Sequence, residues 1–275
     1  MEKTSPAPEI SDAYEGHQAW PPEVTEGVAR YFLSALGPSP RRCLILGCAT
    51  GVNDALPLAR RLAPGDLALA GDIEPAFLRR LRDRAASEGL FNVDAERIDV
   101  TGDLSALGRF DLVSFLFVIH RMKEWEEVID RVCRLVGPGG SFFISEFVGP
   151  DGVIYLSNEN GGKGADPVSR LIRRYFELLP ERFAPRLRSS SISPALRRIG
   201  WSLSPVGHRD FTWKQSVTPA EMIRKIAGRA YAPYFSTHPS AELLSRLAGE
   251  FAEEPAAPVR LDETIRIYRF ERTRS

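Results

Sequence analysis

The sequence predicts an α/β protein with a mostly parallel sheet of seven strands and helices on both of its faces. Short apolar runs alternate with helical patterns from about Arg41 to Glu146. The runs are continuously apolar, which indicates strands that are buried on both faces of the sheet. Sheets of this kind bind ligands at the carboxyl ends of their strands, so functional residues are expected there.

The strands of this predicted core are the apolar runs at residues 43–46, 67–70, 95–98, 111–119 and 141–147. One helix is expected to begin near Asn53 or Asp54. A second begins at Pro75, because proline suits the first turn of a helix. Apolar residues from Trp125 to Val136 recur at intervals of three and four, which predicts an amphipathic helix that ends at the glycines after it.

The chain as a whole is predicted to have four segments. They are an N-terminal lid arm with a helix (residues 1–37), a ligand-binding core (38–149), a basic helical cap (150–199) and the last two strands with a helical insertion (200–275). Further helices are expected at residues 22–36, at 170–179 and within 219–252, and further strands at 200–214 and 262–271.

The composition argues against several functional classes. Basic and acidic residues number 36 each, so the net charge is zero and nucleic acid is not an expected partner. The most apolar stretch, residues 112–119, is too short to cross a bilayer, and the N-terminus lacks the apolar region of a secretory signal. Three cysteines without Cys-x-x-Cys spacing favour the cytoplasm and argue against a structural zinc site. A homodimer stays open.

The turn after the first strand and the end of the second strand together predict a nucleoside site. Asp72 follows Gly47 by 25 residues, and an acid at this place is the usual partner of ribose hydroxyls. A dinucleotide fingerprint would need three glycines, but its positions hold Gly47, Ala49 and Val52. No Gly-Lys-Ser/Thr sequence follows, so a phosphate-binding P-loop is excluded as well.

The turn, Ile45 to Gly51, reads Ile-Leu-Gly-Cys-Ala-Thr-Gly. It resembles the first motif of the class I S-adenosylmethionine-dependent methyltransferases, a family with a Rossmann-like fold. Further stations of that family are matched in order at 71–75, 99–104, 109–113 and 136–140. The resemblance covers about Arg41 to Glu146 and implies S-adenosylmethionine as the cofactor.

The resemblance also implies which residues contact the cofactor. Gly47 and Gly51 would cradle its methionine part, Asp72 would hold both ribose hydroxyls, and Asp99 would accept from the adenine amine. The full set expected to bind the cofactor is Gly47, Cys48, Thr50, Gly51, Asp72, Ile73, Asp99, Val100 and Phe117. The family usually has an acid at the position of Ile45 and a glycine at that of Ala49.

Each of these residues also has a structural explanation that requires no ligand. The glycines suit any tight strand-to-helix turn, and Asp72 suits the N-terminus of the helix that follows it. Asp94 and Asp103 compete with Asp99 for the adenine role, and without a ligand Asp99 would be a solvated loop residue.

Two residues at the same edge are candidates for catalysis. His120 follows the fourth strand and suits a general base at neutral pH, although it can equally pack or cap the next helix. Glu146 ends the fifth strand and either positions the substrate or is a solvated acid. Tyr14, His17 and Trp20 form a possible lid, whereas His208 and His238 are interpreted as structural.

The chemistry predicted from the residues after the fourth strand is methyl transfer to a small molecule, at a hydroxyl or carboxylate oxygen. Residues 115–118 (Phe-Leu-Phe-Val) lack the Asn/Asp-Pro-Pro-Tyr/Phe pattern of base-amine methyltransferases. Cys48 and Cys133 are poorly placed for a cysteine-dependent mechanism. The sequence near the fourth strand has no cluster of acids, so metal binding is not predicted. A non-catalytic cofactor-binding module is the alternative, and an RNA methyltransferase a weaker one.

The predicted cap carries an uneven charge. Eight arginines lie between residues 170 and 198, at positions 170, 173, 174, 182, 186, 188, 197 and 198, against two glutamates. They either form a solvated face paired with acids such as Glu250, Glu253 and Glu254, or they clamp an anionic substrate.

Overall fold

The computed structural model describes residues 11, 15, 19–38, 40–119, 122, 124–148, 167–178, 192–229, 241–254 and 258–273. Its strands are β1 (Arg42–Leu46), β2 (Leu67–Asp72), β3 (Val93–Arg97), β4 (Phe110–Phe115), β5 (Val136–Val148), β6 (Ser204–Val217) and β7 (Val259–Glu271). Its helices are α1 (Pro22–Leu33), α2 (Ala55–Ala59), α3 (Pro75–Ser87), α4 (Trp125–Arg134), α5 (Pro167–Leu178), α6 (Ser193–Gly200), α7 (Pro219–Arg229) and α8 (Ala241–Glu250).

The strands form one seven-stranded sheet in the order β3-β2-β1-β4-β5-β7-β6. All neighbouring pairs are parallel except those of β7, which runs antiparallel to both β5 and β6. The predicted mostly parallel sheet of seven strands is therefore confirmed.

Helices cover both faces of the sheet, as expected for strands without a polar side. One buried cluster joins α1, α2 and α3 to the sheet and contains Phe32, Ile45 and Leu81. The opposite cluster joins α4 and α6 to it and contains Val128 and Ile199. Each cluster forms because the continuously apolar strands bury side chains on both faces.

Parallel pairing brings the predicted functional residues to one edge. Leu46 lies opposite Gly71 in the pairing of β1 with β2, so the turn after β1 starts beside the end of β2. β4 and β5 are also parallel, and Phe115 lies opposite Ile144. Consequently Phe117 and Glu146 lie at the same edge as Gly47.

β6 and β7 continue beyond the end of β5 as a two-stranded ribbon at this edge. In the described part of the chain, β5 pairs with β7 as far as Val148 opposite Thr264, whereas β6 and β7 pair on to Val217 opposite Val259. Helices α5, α7 and α8 pack around the end of this ribbon in a third small cluster, which includes Leu171 and Met222.

Helix α6 differs most from the expectation. From the sequence, no defined helix is expected between residue 179 and a strand from residue 200. Instead Pro194 lies in the first turn of α6, where proline is tolerated, and Ala195 and Ile199 bury against the sheet. β6 therefore begins later, at Ser204. None of the helices in the described ranges is both long and apolar enough to cross a membrane.

Candidate functional site

The turn after β1 has an unusual backbone. Gly47, Ala49 and Gly51 all have positive φ angles, of 69°, 47° and 72°. Close packing adds a second reason for glycine at two of these places. A Cβ on Gly47 would lie 2.3 Å from Val118 Cγ2, and one on Gly51 would lie 2.7 Å from Leu81 Cδ1. The glycines are thus explained by backbone conformation and packing, and Ala49 occupies a strained conformation.

Asp72, the last residue of β2, connects the turn to the next helix. Its Oδ2 accepts from the Ala49 N–H at 2.8 Å and its Oδ1 from the Glu74 N–H at 3.0 Å. The residue is half-buried, and a carboxylate oxygen can accept more than one hydrogen bond. The carboxylate therefore fixes the turn and keeps acceptor capacity for hydroxyl groups.

Two other residues of the turn are buried. Thr50 is fully buried, and its Oγ1 has no hydrogen-bond partner among the described residues. Cys48 is also buried, and burial together with the nearby Asp72 raises the pKa of its thiol well above the usual value. Burial raises the pKa of Cys133 to about 12. Neither thiol is suited to act as a nucleophile near neutral pH.

Asp54 is a residue of this region that the sequence analysis did not select. It precedes α2 as the N-cap, and its Oδ1 accepts from the Ala55 N–H at 2.7 Å. The side chain is buried, and burial raises its pKa to about 7, with a smaller contribution from the charge of Asp72. The sequence predicted a helix start near Asp54, but burial of the acid depends on tertiary packing.

The predicted adenine-contacting turn begins beside Asp72, because the Ile98 N–H donates to the Asp72 carbonyl at 3.1 Å. Asp99 follows, and its Oδ1 accepts from the N–H and the hydroxyl of Thr101 at 2.9 and 2.7 Å. These bonds hold the Asp99 pKa below its usual value. Val100 is buried in the α4 and α6 cluster, whereas Ile73 is half-buried at the edge.

Phe117, just after β4, is the second non-glycine residue with a positive φ angle, of 56°. Its N–H donates to Ser145 Oγ of β5 at 3.1 Å. The Trp20 ring contacts the Phe117 ring, with centroids 5.6 Å apart. The backbone N–H of Trp20 donates to Asn53 Oδ1 at 2.9 Å. The N-terminal arm therefore reaches both the turn and the end of β4.

Glu146 is not a solvated acid, because only 7% of its surface is exposed. Its carboxylate accepts from the Tyr268 hydroxyl of β7 and, at 3.3 Å, from the N–H of Ile192, the N-cap residue of α6. Burial, followed by the bond to Glu146, raises the pKa of Tyr268 to about 12. Glu146 thus joins β5 and β7 to the start of α6, and no sequence pattern predicts these partners.

Of the other predicted polar residues, the structure describes His208 only. His120, Tyr14, His17 and His238 lie outside the described residues. His208 is exposed on β6, with its ring centroid 5.5 Å from that of Tyr268. No group of three or more His, Cys, Asp or Glu side chains suited to a metal ion occurs in the ranges that the structure covers.

Three arginines of the predicted cap, Arg170, Arg174 and Arg198, are engaged with acids. Arg174 Nε lies 2.7 Å from Glu250 Oε2, and Arg170 Nη2 lies 2.5 Å from Glu254 Oε1, so both cross-link α5 to the region of α8. Arg198 pairs with Asp130 of α4. These contacts match the expectation of a face paired with acids. The arginines at 182, 186 and 188 lie outside the described ranges, and nothing is described of the Arg173 side chain.

The residues at this edge fit a ligand with a ribose and an amino-acid part. The Asp72 carboxylate can accept hydrogen bonds from a diol. The Thr50 hydroxyl, which has no partner among the described residues, lies in the turn after β1. One feature differs from the usual pattern, since Ile45 is fully buried and apolar where the family has an acid. The edge therefore offers an acidic partner for the nucleoside part of such a ligand, but Ile45 offers none for its amine.

The comparisons with known proteins concern mainly this core. Residues 44–142 match the family described as "Methyltransferase domain". A demethylmenaquinone methyltransferase of Thermus thermophilus is 31% identical over 120 residues, which are 42% of this chain and 51% of that protein. A ubiquinone/menaquinone biosynthesis C-methyltransferase of Hydrogenovibrio crunogenus is 26% identical over 48% of this chain and 49% of that protein. The chain thus spans about half of the length of these relatives.

Solved structures share the fold over most of the chain. Coclaurine N-methyltransferase, bound to N-methylheliamine and SAH, aligns with a TM-score of 0.55 and 13% identity, covering 91% of this chain and 71% of that one. The cyclase SpnF aligns with a TM-score of 0.53 and 15% identity, covering 94% of this chain and 85% of that one. At such identities the likeness concerns the fold alone, and SpnF is named for a different reaction.

Proposed function

We propose that this chain, whose residues 44–142 match a methyltransferase domain, is a class I S-adenosylmethionine-dependent methyltransferase and transfers a methyl group from S-adenosylmethionine to a small-molecule acceptor. The observation that carries the proposal is the hydrogen bond between the turn Gly47–Gly51 and the Asp72 carboxylate. It lies at the carboxyl edge of a sheet with the strand order β3-β2-β1-β4-β5-β7-β6. That edge is where sheets of this class bind their ligands.

When bound, S-adenosylmethionine supplies an electrophilic methyl group on a sulfonium, so the chemistry belongs to the cofactor and the chain provides orientation and electrostatics. Asp72 would accept from the ribose hydroxyls, and Asp99 with Val100 would receive the adenine. Residues 47–51 would hold the amino-acid part. Phe117 and Trp20, whose rings contact each other near the turn, would exclude water from the same edge.

The acceptor is proposed to be an oxygen of a hydroxyl or a carboxylate. A cysteine mechanism is disfavoured by the raised pKa values of Cys48 and Cys133. Residues 115–118 also lack polar groups that would hold an amine base. In this proposal His120 removes the proton of a hydroxyl acceptor, whereas a carboxylate is already ionised at neutral pH and needs no base.

The direct test is turnover with methyl-labelled S-adenosylmethionine and a metabolite extract, followed by mass spectrometry of the low-mass products. Label in a small molecule is the expected result. Release of the label by mild alkali identifies a methyl ester, whereas a stable label points to an ether or to the carbon acceptor for which the Hydrogenovibrio relative is named. Label found only in carbon-bound methyl groups would overturn the oxygen assignment.

The role of His120 is tested with His120→Ala and His120→Gln on the substrate so identified. For a hydroxyl acceptor, we expect the rate to fall about 100-fold with unchanged cofactor affinity, the usual contribution of a positioned base. For a carboxylate acceptor the rate should barely change. A large loss with a carboxylate, or none with a hydroxyl, contradicts the assignment.

The second candidate is a module that binds the cofactor without catalysing transfer. Two observations favour it, since Ile45 removes the usual acid and Ala49 occupies a strained position that the family usually gives to glycine. Tight binding of S-adenosylmethionine without any transfer, across a broad panel of acceptors, would support this candidate over the enzyme.

A further inference from the structure

Two aromatic side chains meet at the edge of the sheet beside the cofactor turn. The ring centroids of Trp20 and Phe117 are 5.6 Å apart, and the ring planes are inclined at 76°. Rings at this angle form two walls of a corner. Both residues are half-buried, so the corner lies neither inside the core nor on the open surface.

Backbone contacts hold each wall in place. The Trp20 N–H donates to Asn53 Oδ1 at 2.9 Å, which ties the arm to the residue before Asp54. The Phe117 N–H donates to Ser145 Oγ at 3.1 Å, although a φ of 56° is strained for a bulky residue. Strain of this kind persists where surrounding contacts over-determine a conformation, and it is concentrated at functional sites.

A cofactor bound as proposed above brings a sulfonium cation to this edge. A cation removed from water needs an electrostatic partner. The Asp72 carboxylate already receives two turn N–H groups and is assigned to the ribose, and Ile45 offers no charge. Aromatic faces, in contrast, carry the negative side of the ring quadrupole and attract cations within about 6 Å.

We propose that Trp20 and Phe117 form an aromatic corner that binds the sulfonium of S-adenosylmethionine. This inference rests on the proposed function and adds a specificity to it. The product, S-adenosylhomocysteine, has a neutral thioether in place of the sulfonium and loses the cation–π attraction. The corner therefore favours the charged cofactor over the spent one and aids exchange after each turnover.

The test compares the affinities of S-adenosylmethionine and S-adenosylhomocysteine by titration calorimetry, without any acceptor. For Trp20→Leu and Phe117→Leu we expect the Kd of S-adenosylmethionine to rise about 3- to 10-fold, the range of a partly desolvated cation–π contact. The Kd of S-adenosylhomocysteine should change by less than about twofold, because only the charge-dependent attraction is lost. Trp20→Tyr should restore much of the difference.

Two further variants sharpen the comparison. Trp201→Leu removes an exposed tryptophan that stacks with Arg198 at the opposite end of the sheet, and as a control it should change neither affinity. Asn53→Ala removes the bond that holds Trp20 in the corner, so it should weaken S-adenosylmethionine more than S-adenosylhomocysteine, in the same direction as Trp20→Leu.

Fluorinated tryptophan offers a second measurement that preserves shape and folding. Fluorination withdraws charge from the ring face, so S-adenosylmethionine affinity should fall stepwise with fluorine content while S-adenosylhomocysteine affinity stays constant. Equal weakening of both ligands in the leucine variants, or no weakening, overturns the corner. Failure of the wild-type protein to bind S-adenosylmethionine overturns the proposed function itself, and this inference with it.

Discussion

Asp72 and Glu146 lie at the same edge of the sheet, near the ends of β2 and β5, yet their carboxylates have different surroundings. Asp72 is half-buried and accepts from two backbone N–H groups of adjacent turns. Glu146 is 7% exposed and accepts from a distant tyrosine and from the start of α6. The strand end determines that an acid reaches this edge, but its partners determine whether it joins neighbouring turns, as Asp72 does, or distant elements, as Glu146 does.

Asp54 sharpens the comparison, because it lies near Asp72 but is buried like Glu146. Its folded pKa of about 7 is raised above the usual value of an acid, so the folded state binds the proton more tightly than the unfolded state. Stability is therefore lost as the pH rises from about 4 to 7, by roughly 2–4 kcal/mol from this group.

Denaturant unfolding of the wild type and Asp54→Asn across pH 4 to 8 measures this effect. Asparagine keeps an acceptor for the Ala55 N–H but cannot ionise. We expect the free energy of unfolding of the variant to increase relative to that of the wild type as the pH rises. A stability difference that is independent of pH would mean that Asp54 titrates as an ordinary acid.

Glu146→Ala is expected to destabilise the protein by about 1–3 kcal/mol, because the Tyr268 hydroxyl and the Ile192 N–H lose a buried acceptor. Glu146→Gln should cost less, since its amide oxygen can still accept one bond. Thermal unfolding measures both, and Glu96→Ala on the exposed side of β3 is the matched control. A small effect on stability with a large effect on turnover would instead place Glu146 at the substrate.

The sequence predicted Asp72 and Glu146 from the ends of apolar runs, because such runs reveal buried strands directly. It did not predict their partners. Ile192 and Tyr268 follow Glu146 by 46 and 122 residues, and no periodicity connects positions so far apart. The burial of Asp54 has the same origin in long-range packing. The roles assigned to His120 and to the cofactor contacts remain predictions.

Asp72→Ala is expected to weaken S-adenosylmethionine binding about 10-fold or more, because two ribose hydroxyls lose a charged acceptor. The protein should stay folded, since the side chain is only half-buried and contributes little to the core. Glu74→Ala is a close control, because it removes a neighbouring acid that only caps α3. Calorimetry that finds equal affinities for the Asp72 variant and the wild type would remove Asp72 from the site.

The smallest expected effect concerns Ala49, whose N–H is directed at Asp72 by its left-handed conformation. Glycine adopts this conformation without strain, which removes about 1–2 kcal/mol, but it adds about 0.5–1 kcal/mol of unfolded-state entropy. Ala49→Gly should therefore stabilise the protein by up to about 1 kcal/mol while keeping the bond to Asp72.

Ala86→Gly, in the last turn of α3, is the matched control and should destabilise by up to about 1 kcal/mol. Chemical denaturation of the two variants side by side separates local strain from the general cost of glycine. If both lose stability alike, Ala49 is not strained, and the Asp72 side of the edge is as well packed as the Glu146 side. Opposite signs would show that the turn keeps its strained alanine at a cost in stability, together with the bond from the Ala49 N–H to Asp72.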